Sequence, residues 1–165
     1  MPSVTIELGN RADAFAMRKA VFIEEQGYED EYDTVDEAVG CIHVTAYVDG
    51  ELAGCARTFS HATEVAAAPD AHALPGCGLD DGATGETTYL LGRLAVLPAY
   101  RRAGVAGALI GAAEDAARAV GARVMKLHAQ EYVRDLYVKH GYEQISDVDY
   151  EDEGRPHLWM ARRLA

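Results

Sequence analysis

Val4, Ile6 and Leu8 alternate with polar neighbours, the two-residue period of a strand. Asn10 follows in the position of an N-cap, and Phe15, Ala16, Phe22 and Ile23 supply the buried side of a helix over residues 11–25, which Gln26-Gly27 ends. Residues 28–37 are acidic and have no usable period, so they read first as a solvated loop. Tyr28 and Tyr32, and the position directly after Glu24-Glu25, point the other way. Ile42, Val44, Ala46 and Val48 alternate with His43, Thr45 and Tyr47, and Asp49-Gly50 turns the chain into a second strand over residues 52–59. Residues 60–86 are rich in Ala, Gly, Pro and Asp and show no period beyond a short helical turn near Thr63-Glu64-Val65. A segment of this length is a lid or a decoration, and the pattern does not choose. Residues 87–97 form the central strand and residues 104–120 a helix stopped at Gly121, before a strand marked by Val124, Met125 and Leu127. That is a β-loop-α-β unit with parallel strands. Residues 130–139 make a short helix closed by His140-Gly141, and residues 142–145 and 158–160 make a final hairpin around the acidic loop 147–154.

The stretch GRLAVLPAYRRAGVAGALI, residues 92–110, carries the chemistry. A strand stops at Pro98, a basic turn follows, and a helix begins where Gly104 and Gly107 leave the backbone uncovered. The orphan N–H groups and positive end of that helix suit an anion such as a phosphate, with Arg101 and Arg102 adding charge. Gly107 and Gly111 have a second reading as close-packing positions. The turn is not a P-loop, since no Gly-Lys-Ser/Thr follows, and it is not the dinucleotide fingerprint.

The chain of 165 residues, 49% apolar, fits a single domain with a real core. Its net charge of −12, from 27 acidic and 15 basic residues, excludes surfaces for nucleic acid and anionic membranes. With three lysines against twelve arginines, the composition resembles the acidic proteins of salt-loving organisms, so the charge total says little about a substrate. Cys41, Cys55 and Cys77 show no C-x-x-C spacing, which suggests neither a disulfide framework nor a metal site. The N-terminus lacks a signal-peptide pattern and no apolar run is long enough to span a bilayer. The expectation is a cytoplasmic protein.

Arg101-x-x-Gly104-x-Ala106, after Leu94-Ala95-Val96, resembles the coenzyme A pyrophosphate loop of the GNAT acetyltransferases. Leu136-Tyr137-Val138-Lys139-His140-Gly141-Tyr142 is similar to the L-Y-x-K-x-G-F helix end of those enzymes, with Gln130 where many members carry Asn. Val21-Phe22-x-x-Glu25-Gln26, then Glu31-x-Asp33-x-x-Asp36, His43, His128-Ala129-Gln130 and Glu153-Gly154-x-Pro156-His157-x-x-Met160 resemble the ElaA-like (YjcF-like) branch. These motifs cover nearly the whole chain. It departs from the pattern at Tyr142, where Phe is usual, at Ala106, where Gly is common, and in the long segment 60–86.

The resemblance implies one α/β (α+β) GNAT domain over residues 1–165, with a mixed sheet of about six to seven strands, a splayed parallel pair and about four helices. It implies acetyl-CoA as cofactor, held by Leu94, Ala95 and Val96 through the backbone, by Arg101, Arg102, Ala103, Gly104, Val105, Ala106 and Gly107 at the pyrophosphate, and by Gln130. The reaction it implies is direct attack of a primary amine on the thioester. Tyr137 is the candidate acid, because a phenol of pKa about 10 can protonate a thiolate while keeping its proton at pH 7. Glu25 and His43 are the candidate bases, and Glu24, Gln26, Asp33, Asp36 and His157 the candidate contacts to the acceptor. The partner expected is a small-molecule amine, with a homodimer as the family's common assembly. A non-catalytic acyl-CoA-binding sensor or interaction module is the alternative.

Overall fold

The alternation along residues 42–60 becomes the centre of one eight-stranded sheet. The computed structural model describes residues 3–29, 31–70 and 73–164. Asp30 of the acidic segment, residues 71–72 of the long segment and the two N-terminal residues of the leader reading lie outside them. The first half contains β1 (Val4–Leu8), α1 (Arg11–Arg18), a π-helical continuation (Lys19–Glu25), β2 (Ile42–Val48), β3 (Glu51–Ser60) and α2 (His61–Ala67). The second contains β4 (Thr88–Val96), α3 (Val105–Ala119), β5 (Val124–Gln130), α4 (Arg134–Lys139), β6 (Glu143–Gln144), β7 (Asp149–Asp152) and β8 (Arg155–Arg163). The order across the sheet is β1-β2-β3-β4-β5-β8-β6, with β7 also paired to β8. All neighbours are antiparallel except β4 and β5. The acidic loop expected at residues 147–154 supplies a strand of its own, which is why the tail yields three strands instead of a hairpin's two.

Helices cover both faces. Val44 and Ala46 pack with Leu109 and Ile110 of α3, while Cys55 and Ala95 pack with Ala14 and Met17 of α1. Edge strand β1 keeps Ile6 and Leu8 exposed, so its alternation marks a strand without marking core. The helix expected over residues 11–25 forms, capped by Asn10, but widens to a π-helix after Arg18. The buried side is Ala14, Met17, Arg18, Val21 and Phe22, at helical three- and four-residue spacing, which corrects two expectations: Ala16 is exposed, and Phe15 and Ile23 are only half-buried.

Arg18 is buried because the acidic segment is not a solvated loop. Its guanidinium donates to Asp36 Oδ1 at 2.6 Å and to Glu31 Oε1 at 2.9 Å. Arg57 of β3 donates to both oxygens of Asp33 at 2.7 Å and shares Asp36 Oδ1. Arg93 of β4 meets Glu31 Oε1 at 3.0 Å. Three guanidiniums and three carboxylates thus pair with one another, although Arg57 Nε is buried without a hydrogen-bond partner. The long segment is fastened as well: buried Lys126 Nζ donates to the Pro75 carbonyl at 2.7 Å and meets Asp80 at 2.9 Å. At the other end Glu114 joins Tyr142 and Arg162.

Burial works against the Asp36 carboxylate, but hydrogen bonds from Arg18 and the charge of Arg57 outweigh it and hold its pKa well below the usual range; Asp33 is lowered in the same way. A depressed folded-state pKa contributes stability above the unfolded value and loses it as pH falls through the folded one. Asp36→Asn therefore costs about 3–5 kcal/mol in urea unfolding at pH 7, by removing the charge that two buried arginines share. The gap to the parent narrows as the titration is repeated below about pH 4.

Candidate functional site

The parallel ladder of β4 and β5 is short: Thr88, Tyr89 and Leu90 face Val124, Met125 and Lys126, and there it stops. On its other side β4 follows β3 with a bulge, in which Arg93 and Leu94 stand opposite the single residue Ala56. Arg93 takes a positive φ of 52° to do so. The bulge turns β4 away from β5, and two cavities open in the gap.

The first, of about 100 Å³, is lined by Tyr28, Glu31, the β4 bulge from Leu91 to Leu94, the β5 residues Leu127 to Gln130, and Asp152 and His157. The second, of about 250 Å³, lies toward α3 and is lined by Leu94, Ala95, Val96, Arg101, Ala106 and Gln130 among others. Phe22, Leu94, Gln130, Val133 and Tyr137 belong to both walls. The candidate cofactor residues of β4 thus lie beside the candidate acid.

The turn into α3 is built for an uncovered helix start. Arg102 and Gly104 take φ values of 80° and 79°, and no side chain caps the helix. A Cβ on Gly104 would meet nothing within 4 Å, so that side of the first turn is open. Its free N–H groups and dipole suit an anion. Gly107 has the packing role: a Cβ there would approach His140 Cε1 to 3.1 Å, so its lack of a side chain seats the end of α4. Gly111 meets nothing within 4 Å and makes no close contact. Val105 is fully buried in the core, while Ala103 packs at its margin.

Tyr137 is 6% exposed, and its hydroxyl makes no hydrogen bond among the described residues. Burial pushes its pKa above the ordinary phenol value, so it keeps its proton. Glu25 is exposed and lines neither cavity, but Arg101, which lines the second, donates to both its oxygens at 2.8 and 2.9 Å and lowers its pKa. Gln26 bridges Gln130, which donates to it at 2.9 Å, and Tyr132, to which it donates at 3.2 Å. Glu24 is exposed and lines neither cavity.

Three more candidates stand elsewhere than expected. His43 is buried beside the Asp36 carbonyl, 3.0 Å from Nε2, and lines neither cavity; burial lowers its pKa. Asp36 is 2% exposed with both oxygens taken by arginines, which closes it to a ligand. Asp33 is engaged by Arg57 and lines neither cavity. His157 does reach the first cavity, where it stacks on His128 at 4.8 Å. His128 in turn pairs with Asp149 at 2.9 Å. Glu31, Tyr28, Arg93 and Asp152 were not among the sequence candidates for chemistry, although Glu31 stands at the head of the quoted Glu31-x-Asp33 motif.

A model of the Acetyltransferase (GNAT) family matches residues 11–142. The uncharacterized N-acetyltransferase YjcF of Bacillus subtilis (strain 168) is 32% identical over 152 residues, spanning 91% of this chain and 90% of that protein. Among solved structures, ElaA of Escherichia coli aligns with a TM-score of 0.71 at 22% identity, covering 98% of this chain and 99% of its own. An aminoglycoside 6'-N-acetyltransferase complexed with coenzyme A aligns with a TM-score of 0.66 at 16% identity, over 98% of this chain and 97% of its own. Both structural likenesses carry the fold.

The buried phenol is directly observable. With ring-labelled tyrosines, the Cζ resonance absent from the Tyr137→Phe spectrum stays unshifted through about pH 10, where an ordinary phenol is half ionised. A midpoint at or below that value contradicts the burial argument.

Proposed function

This chain belongs to the GNAT acetyltransferase family, and on that premise we propose that it transfers an acetyl group from acetyl-CoA to a primary amine by direct attack, with Tyr137 as the acid. It is an acyltransferase, and acetyl-CoA is its acyl donor. The observation that carries the reading is the pair of cavities that share a wall at Tyr137. Two reactants entering from opposite sides meet at that wall.

The second cavity fits the cofactor. Beyond Leu90, β4 has no β5 partner, so the Leu94 to Val96 stretch borders the gap and would offer backbone groups to an extended pantetheine chain, apart from the Val96 carbonyl, which Arg101 occupies. The uncapped start of α3, with Gly104 open and Arg102 nearby, suits a pyrophosphate. Arg101 lines the cavity while its guanidinium is held by Glu25 and by the Val96 carbonyl at 2.9 Å. Bound there, acetyl-CoA supplies an acyl thioester.

Tyr137 keeps its proton until a thiolate departs, then donates it from the phenolic oxygen. An N–H in the Ala95 to Val96 stretch would donate a hydrogen bond to the acetyl oxygen as negative charge develops on it. Direct attack is supported over an acylated cysteine. None of Cys41, Cys55 and Cys77 lines either cavity, and burial pushes the Cys55 thiol up to about 12. Glu25 is a poor choice of base, since its bond to Arg101 lowers its proton affinity. Its role is to hold Arg101 across the cofactor opening.

Acetyl-CoA at about a hundred times its Kd raises the melting temperature by several degrees, equivalent to about 2.7 kcal/mol. Gly104→Glu abolishes that shift, while Gly104→Ala, which carries the same backbone strain without the charge, retains part of it. Tyr137→Phe keeps the shift and lowers kcat by roughly 10²–10⁴. A folded parent without the shift would overturn the cofactor assignment, and an undiminished kcat in Tyr137→Phe would remove that residue from the chemistry.

A further inference from the structure

We propose that the first cavity receives the acceptor as a primary alkylammonium ion, and that Glu31 Oε2 is the atom that holds it and takes its proton. The proposal rests on the transferase reading and deepens it.

Glu31 is 4% exposed and lines this cavity. Its backbone carbonyl accepts from Arg18 at 2.8 Å and from Arg93 at 3.2 Å. Its Oε1 meets the same two guanidiniums at 2.9 and 3.0 Å. Oε2 accepts no hydrogen bond among the described residues. A carboxylate pinned through one oxygen by two arginines has its other oxygen fixed in direction, which is the preorganisation a reacting group needs. On the same wall Tyr28 is buried, its ring under Arg155 at 3.9 Å, and its hydroxyl has no hydrogen-bond partner. Buried hydroxyls are rarely left so.

The lining also decides the sign of the ligand. Arg93 is its one Lys or Arg among the described residues, and Glu31 already engages it, while Asp152 stands at the rim. A cation finds a carboxylate oxygen here, whereas the donors left for an anion are two neutral phenols, Tyr28 and Tyr137, and no uncommitted charge. Facing Glu31 are Arg18 from α1, Arg57 from β3 and Arg93 from β4. Burial raises its carboxyl above the usual range, and these arginines offset only part of that rise. That direction suits a proton acceptor.

In the step, R–NH₃⁺ gives one proton to Glu31 Oε2. The freed nitrogen lone pair forms the C–N bond to the acetyl carbon while the C–S bond breaks, its electron pair leaving on sulfur. Tyr137 protonates that sulfur, and the second nitrogen proton, lost as the amide forms, returns to Tyr137 through solvent. Glu31 then releases its proton, so amine and acetyl-CoA give amide, free thiol and one H⁺.

The test compares the parent with Glu31→Gln, Glu31→Asp and Tyr28→Phe, each first checked for the melting shift with acetyl-CoA. Thiol release is measured against pH with n-butylamine, 1,4-diaminobutane and glycinamide, and n-butylamine binding to the CoA-saturated protein is followed by NMR titration. Glu31→Gln keeps the cofactor shift, loses about 100-fold or more in kcat/KM, loses the acid limb of the pH profile and binds n-butylamine about tenfold more weakly. Should that variant not fold, Glu31→Asp keeps a carboxylate for both arginines but withdraws it from the cavity, and loses about tenfold in kcat/KM. Tyr28→Phe keeps its melting temperature and raises the amine KM with kcat held. A folded variant at position 31 with parental kcat/KM and pH profile overturns the proposal, as does a parent that shows no saturable amine binding. Amine binding that needs Glu31, in a parent that releases no thiol with any amine, overturns the transfer reading and leaves the ammonium site standing.

Discussion

The hydrogen-bond ladder between β4 and β5 ends after three residue pairs, and the working parts of the molecule are arranged around that break. Backbone groups in a sheet interior need partners, so two central strands that separate leave an opening only where something else will satisfy them. The bulge at Arg93 and Leu94 produces the separation from the β3 side, by giving β4 one residue more than its neighbour. The same bulge sends Arg93 to Glu31 and Leu94 into both cavities. One irregularity of backbone therefore opens the cleft, lines it and ties it to the acidic segment.

The buried charges form the second tier. Arg18, Arg57 and Arg93 come from α1, β3 and β4, and a single short stretch of chain supplies Glu31, Asp33 and Asp36 to meet them. The cluster is neutral, so the net charge of −12 belongs to the rest of the molecule, chiefly its surface. Salt that screens the surface leaves this interior largely untouched, because buried pairs are screened much less.

Most of the architecture was legible where a side-chain period or a turn residue determines it. The β2–β3 hairpin, the parallel unit around α3 and the turn at Gly104 follow from alternation, Asp49-Gly50 and the glycines. The resemblance singled out Gln130 and Tyr137, and both line the two cavities. What escaped was whatever depends on partners far along the chain. Residues 28–37 look solvated because an acidic run carries no sign of the arginines, on three other elements, that draw Glu31 and Asp36 inside while Glu29, Tyr32, Asp33 and Glu37 stay exposed. Arg18 was missed for the converse reason, since a search for apolar periodicity passes over a buried cation. His43 alternates correctly on its strand, but which face of the sheet carries the site depends on where the strands part, and that bulge has no signature in the sequence of β4 beyond Gly92.

The wall between the two cavities has consequences for how such a protein can diversify. Phe22, Leu94, Gln130, Val133 and Tyr137 touch both spaces, so a change at any of them reshapes both, and in the proposed reaction the seats of both reactants together. Tyr28, His128, Asp152 and His157 line the first cavity and not the second, and come from the tail, from β5 and from the segment after the π-helix. Selection can reshape those four for a new acceptor while the donor's seat is conserved, whereas a substitution in the shared wall must satisfy two chemistries at once. Drift in specificity is thereby channelled to one side of the cleft.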